Sequence, residues 1–215
     1  MSDWVEFFKK TAINRNIFNH CLGKRRLIEL IIENTPKEGR ILEAGCGTAL
    51  LSLILADFGF NVTALDYTDD ILKYAESRIR LNTVQLKFVK GDIMKLSSTF
   101  EKKYFDVICH SGVMEHFSDE DIVKSLTEQR IVSKKTIFNI PNNRVNLSTG
   151  HFGDERFLSN RKWKRLLMEA GFRNITVFGG YDLPKYTLVL PGVLLHKKGS
   201  FWWKWFSKHS IFLCE

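Results

Sequence analysis

The chain of 215 residues is 44% hydrophobic and 26% charged, with 14 Gly and 4 Pro. That suffices for one domain with its own core, and it excludes a collagenous or mainly disordered chain. The 32 Lys and Arg against 24 Asp and Glu leave a formal charge of +8. This admits nucleic acid, an acidic membrane surface or an anionic small ligand as partner, and selects none of them, because basic residues run along the whole chain.

The four cysteines, Cys21, Cys46, Cys109 and Cys214, form no C-x-x-C pair, and none stands at zinc-ligand spacing from a histidine. Reduced thiols, a cytoplasmic setting and no metal site are therefore expected. Residues 1–20 mix Trp4, Phe7 and Phe8 with Lys9, Lys10 and Arg15 and lack the apolar run of a secretory signal. The longest apolar stretches, 50–56 and 187–195, are far short of the roughly 20 residues that cross a bilayer.

In chain order, residues 4–34 read as helical, with Leu27, Leu30 and Ile31 at helix spacing, and Pro36 and Gly39 lie in the turn that ends them. A strand over 40–44 runs into the sharp turn Gly45-Cys46-Gly47. A helix over 48–58 closes at Gly59, and 61–66 is a second strand. The spacing of Ile71, Leu72, Ala75 and Ile79 predicts a helix from Asp69 to about Leu81. Strands follow over 85–90 and 104–110. Ser118 and the acidic residues after it open a helix that reaches Val132. A strand over 135–140 stops at Pro141, a long loop fills 142–158, and a helix over 160–170 ends at Gly171. Strands over 174–179 and 186–190 complete the pattern. Strands alternating with helices of this length imply βαβ units and a mainly parallel sheet, with ligands at the carboxyl ends of the strands.

Two motifs carry chemistry. Gly45 and Gly47 let the backbone pass close to a ligand just before a helix presents its free N–H groups. Asp66 ends the next strand, 19 residues after Gly47, where a carboxylate accepts hydrogen bonds from ribose hydroxyls. Together they specify a nucleoside-containing cofactor and leave its identity open. A dinucleotide fold wants a third Gly where Leu50 stands, and Glu43 would oppose a pyrophosphate. A cationic cofactor with an amino acid tail is more comfortable there. Tyr181 and Lys185 match a dehydrogenase Tyr-x-x-x-Lys pair by spacing, but Pro184 opposes the helical turn that pairing needs.

Residues 40–115 resemble the class I S-adenosylmethionine-dependent methyltransferases of the small-molecule type. Ile41–Thr48 is similar to their first motif, with Glu43 as its acidic residue, and 63–67 resembles their second. Phe88–Ile93 resembles their third, and 105–116, ending Met114-Glu115-His116, their fourth. Downstream, Phe138–Asn142 and 150–172 continue the likeness, so it covers about 140 residues in ordered succession. The resemblance implies a Rossmann-like three-layer α/β sandwich whose seven-stranded sheet is mainly parallel with the last strand antiparallel. It implies S-adenosylmethionine as cofactor and S-adenosylhomocysteine as product. Glu43, Gly45, Cys46, Gly47, Ser111 and Gly112 would surround the cofactor, Asp66 would hold the ribose, and Tyr67, Asp92 and Ile93 would meet the adenine.

The implied reaction is in-line attack of an acceptor on the sulfonium methyl, in which the protein mainly supplies alignment. His116, Glu115 and His151 are the candidate bases, because they fall on loops expected near the methyl group; His110 reads as a strand-end residue lining the pocket. No Asn/Asp-Pro-Pro-aromatic motif follows the fourth strand and no Pro-Cys nucleophile is present, so a small-molecule acceptor is favoured over RNA or protein. A non-catalytic S-adenosylmethionine-binding scaffold is the remaining alternative. The expected organisation is a helical cap over 1–39, the methyltransferase domain over 40–195 and an aromatic segment over 196–215. That last segment, with Trp202, Trp203 and Trp205, packs on the domain, meets a second subunit or touches a membrane surface. The oligomeric state is not readable.

Overall fold

The computed structural model describes residues 3–10, 17–78, 85–142, 154–180 and 209–215. Two helices lead, α1 (Asp3–Lys10) and α2 (Ile17–Asn34). Then β1 (Arg40–Ala44), α3 (Leu50–Asp57), β2 (Asn61–Asp66), α4 (Asp69–Arg78), β3 (Leu86–Lys90) and β4 (Phe105–Ser111) alternate. After them come α5 (Asp119–Val132), β5 (Ser133–Pro141), α6 (Asn160–Glu169), β6 (Ile175–Gly179) and β7 (His209–Cys214). The seven strands form one sheet in the order β3-β2-β1-β4-β5-β7-β6. β3 through β5 pair in parallel, and β7 runs antiparallel to both β5 and β6. This is the Rossmann-like architecture that the resemblance implies.

The sheet is buried on both faces, as the apolar runs of its central strands require. Along β1, Ile41 joins Leu27, Ile31, Leu51 and Leu55 of α2 and α3, while Leu42 faces the opposite core with Leu126 of α5 and Trp163 of α6. The alternation follows from the two-residue period of a strand. Each such side chain, fully removed from water, contributes about 1.5–3 kcal/mol before entropy is counted. The helices on the second face begin at built caps. Ser118 Oγ accepts the Asp121 N–H at 3.1 Å, and Ser159 Oγ accepts the Lys162 N–H at 3.3 Å.

Two element starts shift, and other expectations fall on residues outside the described ones. The helix expected over 4–34 is present as α1 and α2, with residues 11–16 outside the described ones. α3 starts at Leu50 rather than 48 because Ala49 sits in the left-handed region at φ 53°. β5 starts at Ser133 rather than 135, since α5 passes into it without a loop and the Ser133 N–H still donates to the Gln129 carbonyl. The strand expected over 186–190 and the aromatic run 201–208 lie outside the described residues. Among the described residues the seventh strand is His209–Cys214, with Ile211, Phe212 and Cys214 buried. Residues 209–214, within the expected C-terminal segment, thus form part of the sheet.

Candidate active site

β1 is central, connected through α3 to β2 on one side and paired on the other with β4, which the chain reaches from β3. A crevice opens at such a point, beyond the carboxyl ends of the strands. It is occupied here by a cleft of about 470 Å³, within the usual size of small-ligand sites.

The floor is the turn after β1. The N–H groups of Gly45 and Cys46 both donate to the Leu65 carbonyl, at 2.8 and 2.9 Å, and tie the turn to β2. Gly45 has φ 72° and Gly47 φ 52°, so both need the left-handed region. They are also approached closely. A Cβ on Gly45 would come within 2.8 Å of Val113, and one on Gly47 within 2.8 Å of the Phe8 ring. The carboxylate of Asp66 accepts the Gly47 N–H at 3.1 Å and the Thr68 N–H at 3.2 Å. An ionised carboxylate offers about four acceptor positions, so Asp66 keeps capacity for a diol. Burial raises the Asp66 pKa, and hydrogen bonds from Gly47, Thr68 and Tyr67 oppose that rise.

Of the expected site residues, Gly45, Gly47, Asp66, Tyr67, Asp92, Ile93, Gly112 and His116 line the cleft. Asp92 Oδ1 accepts the Met94 N–H at 2.9 Å, which fixes the turn after β3. Glu43, Cys46, Ser111 and Glu115 are not among the lining residues; they stand behind the wall. Glu43 is buried and accepts the N–H of Ser52 at 2.8 Å and its hydroxyl as well. Burial pushes its carboxyl up to about 7, while Ser52 and the charge of Lys24 pull the other way. Lys24 of α2 donates to Ser111 Oγ, and burial lowers the ammonium pKa against the pull of Glu43 and Glu115. Burial also raises the carboxyl of Glu115 and the thiol of Cys46. His151 lies outside the described residues.

His110 is placed differently from its expectation. It is fully buried and stacks on Phe138, centroids 4.7 Å apart at 15°, in the core beneath α6. Burial drives its pKa down to about 3, so it stays neutral and serves as core.

Trp4 and Phe8 of α1 roof the cleft, within the helical cap expected over 1–39, and the clustering of Trp4, Phe7 and Phe8 on one short helix is the sign of those residues. The sequence does not announce two further features of the site. Lys24 heads the apolar stripe of Leu27 and Ile31, a position at which a lysine must be partnered. Asp154 pairs with His116 at 2.5 Å across 38 residues, and no local pattern announces that.

The lining residues fit the implied cofactor. Asp66, Asp92 and Asp154 are acidic, and among the described lining residues there is no Lys or Arg. A pyrophosphate would meet only like charge there, whereas a sulfonium cation meets opposite charge. Leu65, Ile71, Ile93, Met94 and Val113 supply the apolar walls an adenine needs.

Comparison with known proteins agrees. Residues 41–136 match a family model described as a methyltransferase domain. A ubiquinone biosynthesis O-methyltransferase of Rickettsia canadensis is 35% identical over 128 residues, 53% of this chain and 52% of that protein. The chain thus spans about half the length of the ubiquinone biosynthesis O-methyltransferases it matches. A SAM-dependent methyltransferase of Aquifex aeolicus shares the fold with a TM-score of 0.69 over 100% of this chain and 98% of that one, at 15% identity. A SAM-dependent methyltransferase of Thermotoga maritima does so with a TM-score of 0.68 over 98% and 95%, at 16% identity. Sheet order, the glycine turn over Asp66 and the matched segment agree on one assignment: residues 41–136 form a methyltransferase domain similar to the class I S-adenosylmethionine-dependent methyltransferases, whose cofactor is S-adenosylmethionine.

Proposed function

We propose that this protein transfers a methyl group from S-adenosylmethionine to a hydroxyl of a small aromatic acceptor. The observation that carries the reading is the cleft itself, lined together by the Asp66 carboxylate, the glycine turn and His116. The cofactor supplies an electrophilic methyl group when bound. Asp66 would orient the ribose and Asp92 with Ile93 the adenine, leaving the methyl between the turn and His116. Trp4, Phe8 and Phe117 would hold a flat acceptor and exclude water. The O-methyltransferase names of the curated relatives support an oxygen acceptor. The acidic lining disfavours RNA despite the basic surface, because phosphates bind through Lys and Arg.

Calorimetric titration with S-adenosylmethionine and S-adenosylhomocysteine tests the cofactor. Micromolar binding is expected, with at least a tenfold loss in Asp66→Ala. A folded wild-type protein that binds neither ligand sinks the reading. Binding without methyl transfer to any member of a phenol and catechol panel would leave the scaffold alternative.

A further inference from the structure

We infer that Asp154 is a positioning residue. It holds His116 in the tautomer protonated on Nδ1, so that Nε2 carries the lone pair that accepts the proton of a hydroxyl acceptor. The inference rests on the proposed methyl transfer for its chemistry, but its geometric half stands alone.

His116 lines the cleft together with the glycine turn, and its side chain is 12% exposed. Nδ1 lies 2.5 Å from Asp154 Oδ1. An ionised carboxylate only accepts, so Nδ1 carries a proton, and in the neutral ring Nε2 then carries the lone pair. The edge of Trp4 closes on the imidazole at 5.2 Å and 86°, which further limits rotation of the ring.

What holds Asp154 is visible two residues on. The Arg156 N–H donates to the Glu115 carbonyl at 2.8 Å, and its guanidinium donates to the Phe117 carbonyl at 2.5 Å and to Asp119 at 2.6 Å. Lys162 also pairs with Asp119. Arg156 therefore clamps the segment before α6 onto the loop that carries His116. Asp154 itself is exposed, and an exposed carboxylate on an unclamped loop would gain little by pairing. The clamp removes most of that entropic cost in advance.

The step balances. The acceptor oxygen gives an electron pair to the methyl carbon and its proton to His116 Nε2, and the pair of the broken carbon–sulfur bond stays on sulfur. The histidine later returns the proton to water. Among the described residues, the charged groups near His116 include Glu115, Glu155, Asp154 and Arg156, with Asp66 and Asp92 also lining the cleft and the uncharged Trp4 ring packing from α1.

Two readouts test this. In 15N-resolved histidine spectra at alkaline pH, with His116 assigned through His116→Gln, the wild type is expected as the Nδ1–H tautomer. Asp154→Asn and Arg156→Gln are both expected to shift it toward Nε2–H. An Nε2–H ring in the wild type, or a ring unmoved in Asp154→Asn, overturns the inference whether or not any acceptor is methylated. The second readout is kcat with catechol and with 4-nitrocatechol, whose hydroxyl is more acidic. Asp154→Asn should lower kcat about 100-fold for catechol with little change in KM, and distinctly less for 4-nitrocatechol. An equal loss for both acceptors removes the proton-transfer role. Transfer that requires added Mg2+ or Mn2+ and is abolished by chelation overturns it too. It would make His116, Asp154 and Glu155, whose ligand atoms lie within 4.8 Å of one another, cation ligands instead. Failure of wild-type transfer with the tautomer intact would fault the acceptor class, not the positioning.

Discussion

Glu43 stands before the glycine turn as expected, but its side chain faces α3 and not the cleft. Its place before the glycine turn was legible. Its direction was not, because the strand turns the side chain toward α3, where Ser52 binds it. The consequence is a pH dependence of stability. The folded carboxyl is raised from 4.5 to about 7, so between those values the folded chain keeps a proton that the unfolded chain releases. The contribution is fully present below about pH 4.5 and lost as pH rises through about 7. The melting temperature of the wild type should therefore fall relative to that of Glu43→Gln between pH 5 and pH 8; parallel curves would refute the shift. Asp154 marks the opposite limit of legibility. Its partner lies 38 residues away, and only the folded loops bring the pair together.

Among the elements, most helices and strands follow from their own pattern. Ser118 with its acidic first turn announced α5, and the short β-branched and apolar runs announced β1, β2 and β4. The sequence announces α1 as part of a cap but not which of its side chains face the cleft. Eight residues make a marginal helix alone, so its stability comes from the aromatic face it lays over the cleft. The Phe8 ring rests against Gly47, the residue whose N–H binds Asp66. Phe8→Ala should thus weaken S-adenosylhomocysteine binding while leaving the fold intact. Loss of one ring contact of about 1–2 kcal/mol corresponds to about tenfold in affinity. Stopped-flow dissociation is the direct measurement, and an unchanged off-rate would show that α1 packs on the turn without enclosing the ligand.

For the whole molecule, the seven-strand architecture was legible and the identity of its last strand was not. The run at 186–190 reads as a strand from its Tyr, Thr and Val, while 209–214 follows an aromatic segment that draws attention to packing or membranes. β7 is nonetheless interior to the sheet, hydrogen-bonded on both edges. Phe212 stacks on Phe138 with centroids 5.2 Å apart at 13°. A chain ended at residue 208 should lose both ladders and part of the core. Circular dichroism should then show no cooperative thermal transition, whereas a normal one would mean the sheet tolerates five strands.

The placement of β7 also bears on how the protein is made. During synthesis β5 and β6 leave the ribosome well before the strand that joins them, so β5 waits with an open edge and β6 has no neighbour at all. Open edges recruit other strands. A ribosome paused between residues 180 and 209 thus holds a nascent chain suited to chaperone capture, and slow codons in that interval would cost more soluble protein than the same codons placed before β1.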